Sequence, residues 1–182
     1  MAADGGFERD VVTWYTMNEG YRAWRALKSV LSNRGLGIKA KKCLYEGVIV
    51  PTALYGPEAC FMRSPERRKE NILEMKCLRG LVGVSRMDRV RNKEVHRRAG
   101  IEWELASRAD QRVLRWFGHV ERMDDYRMAR RVLMAEVSGG RVRGRPRMGW
   151  MDGVKVALGN REMTVDAVRK IGESGEPWYI CN

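Results

Sequence analysis

The sequence predicts an all-α fold: several short helices, then a basic extended linker, then terminal helices. Apolar residues recur at steps of three and four along most of the 182 residues, the spacing of a helix that buries one face. Alternation of period two, which a half-buried strand needs, is scarce. Apolar residues make up 44% of the chain, enough for a core in a domain of this size.

The first 19 residues show no clear stripe and read as a loose N-terminal segment. Tyr21, Trp24, Leu27 and Leu31 then form one helical stripe that Gly35 is expected to close. A second stretch runs from Ile38 through Cys43, Leu44 and Val48 to Pro51, and Leu54-Tyr55-Gly56-Pro57 reads as a turn. Ser64 and Pro65 suit the cap and first turn of a helix whose apolar side would be Ile72, Met75, Leu78 and Val82. Asn92 is placed to cap a short helix bearing Val95 and Ala99, with Gly100 as its stop. Leu105, Ala109, Val113, Phe117 and Val120 mark a longer helix, and Met128, Val132 and Ala135 a short one. Ser138-Gly139-Gly140 and the run Arg141-Val142-Arg143-Gly144-Arg145-Pro146-Arg147 interrupt the pattern. Trp150, Val154 and Leu158 restore it, and Thr164 is placed to cap a last helix with Val165, Val168 and Ile171. The expected organisation is a loose segment 1–19, a helical domain 20–136, a linker 137–149, terminal helices 150–172 and a loose tail 173–182.

Charge is concentrated in the middle of the chain. The net charge is +12. Residues 1–60 contribute +2, residues 61–150 contribute +11, and residues 151–182 contribute −1. Of the 23 basic side chains in the middle block, 20 are Arg, whose planar fork suits phosphate and base edges. An excess of this size repels itself unless a polyanion offsets it, and nucleic acid is the usual polyanion. Solvated helix faces are the bland alternative. No apolar run exceeds four residues, so no membrane span is expected. Asp4, Glu8 and Asp10 stand where a secretory leader needs basic and then apolar residues, so a nuclear or cytoplasmic location is expected. The four cysteines have no CxxC spacing; Cys43, Cys60 and Cys77 read as small core residues and not as metal ligands.

No catalytic set is recognisable. His96 and His119 are the only histidines, and neither has a nucleophile near it in sequence. No phosphate-binding glycine loop occurs. Asp124-Asp125 is the only adjacent acidic pair, and it falls in a polar turn without the strand hairpin of a two-metal polymerase site. No catalytic residue, metal or cofactor is therefore assigned, and the chain alone is expected to be inactive as a polymerase or nuclease.

Six blocks in order carry a family resemblance. They are Leu44-Tyr45-Glu46-Gly47-Val48-Ile49-Val50-Pro51-Thr52, then Leu54-Tyr55-Gly56-Pro57-Glu58, then Glu74-Met75-Lys76-Cys77-Leu78-Arg79, then Arg86-Met87-Asp88-Arg89-Val90-Arg91-Asn92-Lys93-Glu94-Val95. Arg115-Trp116-Phe117-Gly118-His119-Val120-Glu121-Arg122-Met123 follows, and last Arg143-Gly144-Arg145-Pro146-Arg147 with Trp150-Met151-Asp152. Together, over about residues 20–170, they resemble the C-terminal part of reverse transcriptases of LINE-type (non-long-terminal-repeat) retrotransposons and of proteins derived from them. The resemblance implies a helical, thumb-like domain that follows the RNA-directed DNA polymerase palm and clamps the template–primer duplex, and then a basic linker. It implies as partners RNA, DNA or an RNA–DNA hybrid, and the parent palm if the chain is not a standalone product. The palm's aspartates and the endonuclease have no counterpart here, and Ile171 to Asn182 departs from the family's basic helix.

Arg67, Arg68, Lys69, Arg112 and Arg115 are the expected phosphate contacts in the helical domain. Arg141, Arg143, Gly144, Arg145, Pro146 and Arg147 resemble an AT-hook, in which Arg143 and Arg145 would enter the minor groove of A·T-rich duplex DNA. A solvated linker and a nuclear-import signal are the other readings of this run. For the whole chain the alternatives are a helical protein-interaction module using Trp14, Trp24 and Trp103, or the non-functional translation of a degraded retroelement.

Overall fold

The computed structural model describes the backbone of residues 5–56, 64–135 and 149–167, and the side chains of 17–56, 67–135 and 149–167. The fold is all-α, with no strand among the described residues. The helices are α1 (Gly5–Leu31), α2 (Ile38–Leu44), α3 (Val50–Ala53), α4 (Ser64–Val82), α5 (Asn92–Ala99), α6 (Leu105–Glu121), α7 (Met128–Met134) and α8 (Trp150–Gly159). None of them is long and apolar enough to cross a membrane. The chain forms two compact units, Met1–Ala109 and Asp110–Asn182. That division falls inside the stretch 20–136 expected as one domain.

In the first unit, α1 and α4 pack on each other and on the short helices between them. Helix α1 starts at Gly5, so residues 5–19 are helical and not loose as expected. Met17, one turn before Tyr21, and Gly20, directly before it, are buried, so the packed face of α1 begins upstream of the expected stripe. A Cβ on Gly20 would lie 2.9 Å from Ala53 Cβ and 2.9 Å from Leu73 Cδ2, so only glycine lets α1 come this close to α3 and α4. The helix ends at Leu31, before Gly35, and the Asn33 side chain then accepts the Gly35 N–H at 2.8 Å.

Pro51 does not end the second helical stretch. Tyr45–Ile49 widens into a π-helical turn between α2 and α3, with the Val50 N–H donating to Tyr45 O. A proline inside a helix has no N–H and crowds the preceding turn. The wider turn takes up that misfit, and it directs Tyr45 and Ile49 into the core.

Helix α4 buries Glu70, Leu73, Glu74, Cys77, Leu78 and Leu81. The expected side of Ile72, Met75, Leu78 and Val82 is rotated from this face; Ile72 is half-exposed at 51%. Two buried glutamates, which polarity alone would place outside, account for the difference. Gly83 (φ 76°) ends α4, and the Val84 N–H returns to Arg79 O at 3.0 Å, the six-to-one bond of a Schellman stop. Helix α5 starts at Asn92 with Arg91 as its N-cap, so Asn92 does not cap it. Its side chain accepts the Arg79 guanidinium instead, at 3.0 Å. Gly100 (φ 64°) stops α5 as expected. Cys77 is buried, Cys43 is exposed against expectation, and Cys60 lies outside the described residues.

The second unit has a smaller core of Leu114, Phe117, Val154, Ala157 and Leu158. Phe117 and Trp150 meet with ring centroids 6.1 Å apart. At the start of α8 the Asp152 carboxylate accepts the Gly149 N–H at 2.7 Å, and Asn160 after its end donates to Asp110 at 2.9 Å. Thr164 accepts the Ala167 N–H at 3.2 Å, the expected cap, and the rest of that helix lies outside the described residues.

Gly20→Ala tests the close approach of α1. Its better helix propensity contributes about 0.5–1 kcal/mol, and the overpacking it forces costs about 1–3 kcal/mol. The variant is expected to unfold at lower urea concentration than the parent chain.

Candidate nucleic-acid interface

Two of the three long helices, α4 and α6, sort their charge, whereas α1 pairs Glu19 with Arg22 at its surface. On α4 the described carboxylates, Glu70 and Glu74, are 0% and 1% exposed, while Arg68, Lys69 and Lys76 are exposed. Lys69, Ile72, Lys76 and Arg79 follow one another at steps of three and four, so they form one stripe along the outside of α4. In the second unit α6 is similar, with its terminal Glu121 taken up by Arg130 at 2.5 Å. Asp110 is buried against Asn160, and Arg115 is exposed beside Trp116 and His119, whose rings lie 5.5 Å apart. Helix α5 behaves differently. Glu94 stays at its surface, 2.7 Å from both Arg97 and Arg98, and their hydrogen bonds pull its carboxyl down to about 2.

The buried end of this sorting is a polar cluster in the first unit. Glu74 accepts the Tyr45 hydroxyl at 3.2 Å and the Leu105 N–H at 3.0 Å, and His96 Nε2 is 3.8 Å away. One carboxylate thus joins α4 to the π-helical turn, to α5 and to the start of α6. Burial pushes the Glu74 carboxyl up, against the downward pull of the Leu105 N–H, His96 and the Tyr45 hydroxyl. Burial, with the nearby Glu74 charge, pushes the Cys77 thiol up to about 12 and raises the Tyr45 hydroxyl as well. A thiol in that state is a packing group and not a nucleophile at neutral pH.

The outward end borders a groove of about 760 Å³ between α1, α4 and the 83–92 loop. Trp24, Ile72 and Met75 supply its apolar surface, and Lys28, Lys76 and Arg86 its charge. Lys76 Nζ lies 5.2 Å from the Trp24 ring centroid and 5.0 Å from that of Tyr21; Lys28 Nζ lies 5.8 Å from Trp24.

The expected contact residues divide. Arg68, Lys69 and Arg115 are exposed. Arg67 and Arg112 are half-buried and hold contacts within the fold. Arg141, Arg143, Gly144, Arg145, Pro146 and Arg147 lie outside the described residues, as does Trp14's side chain. Lys28, Lys76 and Arg86 were not among the residues expected; the i, i+4 spacing of Trp24 and Lys28 was the available signal. Asp124 and Asp125 are exposed in the turn before α7, and no group of three or more His, Cys, Asp or Glu among the described residues is placed to hold a metal ion. No protein-family model, curated protein or solved structure matches the chain.

Glu74 gives a pH test. Its folded carboxyl holds its proton above the ordinary value of 4.5. The folded state therefore binds more protons than the unfolded state above that pH, and stability falls as pH rises through the window up to the raised value. Urea midpoints measured upward from pH 4.5 are expected to show this fall. Glu74→Gln, which keeps an acceptor for Tyr45 and Leu105, is expected to flatten it. Glu74→Leu orphans both donors and is expected to lose about 2–5 kcal/mol at every pH.

Proposed function

We propose that the chain is a nucleic-acid-binding module, the thumb-like part and basic linker of a LINE-type reverse transcriptase, that grips a duplex or hybrid through its phosphates and performs no chemistry itself. The observation that carries this reading is the charge sorting on α4 and α6. Their buried carboxylates leave Arg68, Lys69, Lys76 and Arg115 on outer faces. A helix face meant only for solubility mixes both signs, as α5 does with Glu94, Arg97 and Arg98. Faces of one sign attract a polyanion, and phosphate contacts position it without reading sequence. The order of blocks from Leu44 to Asp152 supplies the family half of the reading, and on it the linker Arg141–Arg147 adds further phosphate or minor-groove contacts.

The test is a titration of the full chain with a duplex and with an RNA–DNA hybrid over a range of salt. About five phosphate contacts give a log–log slope of roughly −4 to −5. Replacing Arg68 and Lys69 together by Ala is expected to weaken binding uniformly across sequences and to make the slope shallower by about 2. Binding that is flat with salt would favour the protein-interaction reading.

A further inference from the structure

The groove beside Trp24 has features that backbone binding does not need. Its volume of about 760 Å³ falls within the ~300–1,000 Å³ of small-ligand sites. A phosphate contact requires only a cation at the surface, yet here the cations surround an indole. Among the described residues no carboxylate pairs with Lys28, Lys76 or Arg86. Lys28 and Lys76 instead lie against the Trp24 ring, where the π face substitutes for an anion.

The groove's rim is held in place. Arg79 donates to Val90 O at 3.3 Å and to Asn92 Oδ1 at 3.0 Å, which fastens the 83–92 loop to α4. Within the loop the Asp88 carboxylate accepts the Ser85 N–H at 2.6 Å, and Ser85 Oγ accepts the Met87 N–H at 3.1 Å. These bonds fix the turn that carries Arg86. Arg79 is thus committed to the scaffold, and Lys28, Lys76 and Arg86 remain for a ligand.

We propose that this groove takes one unpaired nucleotide of the bound nucleic acid, its base against Trp24, Ile72 and Met75 and its phosphate held by Lys28, Lys76 and Arg86. The proposal rests on the nucleic-acid reading above and adds a specific place for a single-stranded unit. A nucleotide supplies both partners that the site lacks. Its phosphate draws the ammonium groups from the indole, and its base takes their place on the ring face. Stacking of this kind tolerates any base, so no sequence preference is expected. An acidic peptide would satisfy the cations and leave the indole without a planar partner.

The experiment compares the full chain on a blunt duplex and on the same duplex with a short single-stranded 3′ overhang, at one salt concentration. The overhang is expected to strengthen binding about 5- to 10-fold, the low end of what one stacked base contributes. Trp24→Ala is expected to remove that advantage and to leave blunt-duplex affinity unchanged, and Trp24→Phe to keep most of it. Trp24 also packs against the core. A second variant, Lys28→Ala with Lys76→Ala, therefore changes only exposed side chains; it is expected to reduce the overhang advantage more than the blunt-duplex affinity. Equal affinity of the parent chain for both ligands, or an advantage that survives both Trp24→Ala and the double lysine variant, would overturn the groove assignment and leave the phosphate-binding reading standing. Failure to bind either ligand would overturn that reading, and the groove with it.

Discussion

The first unit depends on the burial of Glu74. A carboxylate out of water is costly unless its oxygens find donors. Here the donors come from sequence neighbourhoods 29 and 31 residues away, the Tyr45 hydroxyl and the Leu105 N–H. Tyr45 opens the π-helical turn and Leu105 is the first residue of α6, so the one carboxylate ties both elements to α4. The same choice sets the rotation of α4. With Glu70 and Glu74 inward, Lys69, Ile72 and Lys76 must face out, because residues three and four apart share a side. The basic outer face and the polar core are two consequences of one helix orientation.

That coupling explains why part of the fold was legible in the sequence and part was not. In α5, α6 and α8 the apolar stripe and the buried face largely coincide: Val95 and Ala99; Leu105, Ala109, Phe117 and Val120; Val154 and Leu158. Gly100 and Thr164 act as their local chemistry implies. In α4 the local rule fails, since the buried Glu74 is satisfied by groups far away in sequence. Asn92 fails for a related reason: Arg79, thirteen positions earlier, claims its side chain. Pro51 reads as a stop because the widened turn that accommodates it leaves no mark in hydropathy. Residues 5–19 lack a stripe of their own, and the packing of Met17 and Gly20 holds that helix to the rest.

The candidate interface shows the same division. Composition locates the positive charge in the middle block, and Arg68, Lys69 and Arg115 are exposed there. Composition does not separate Arg67 from Arg68, because one step along a helix turns a side chain by about 100°. Arg67 lies three residues before Glu70, on the inward side, and is half-buried. The groove was not legible at all. It needs α1, α4 and the 83–92 loop together, and the bonds that fasten that loop run from Arg79 to Val90 and Asn92.

The central claim is that the outward face of α4 is the surface that meets nucleic acid. Amide chemical-shift mapping of the isotope-labelled full chain, titrated with a short duplex, tests it most directly. The account predicts shifts concentrated at Arg68, Lys69, Ile72 and Lys76, with the amides of the buried residues Leu73, Cys77 and Leu78 changing less. Saturating binding that shifts residues elsewhere and leaves the outer side of α4 unchanged would contradict it.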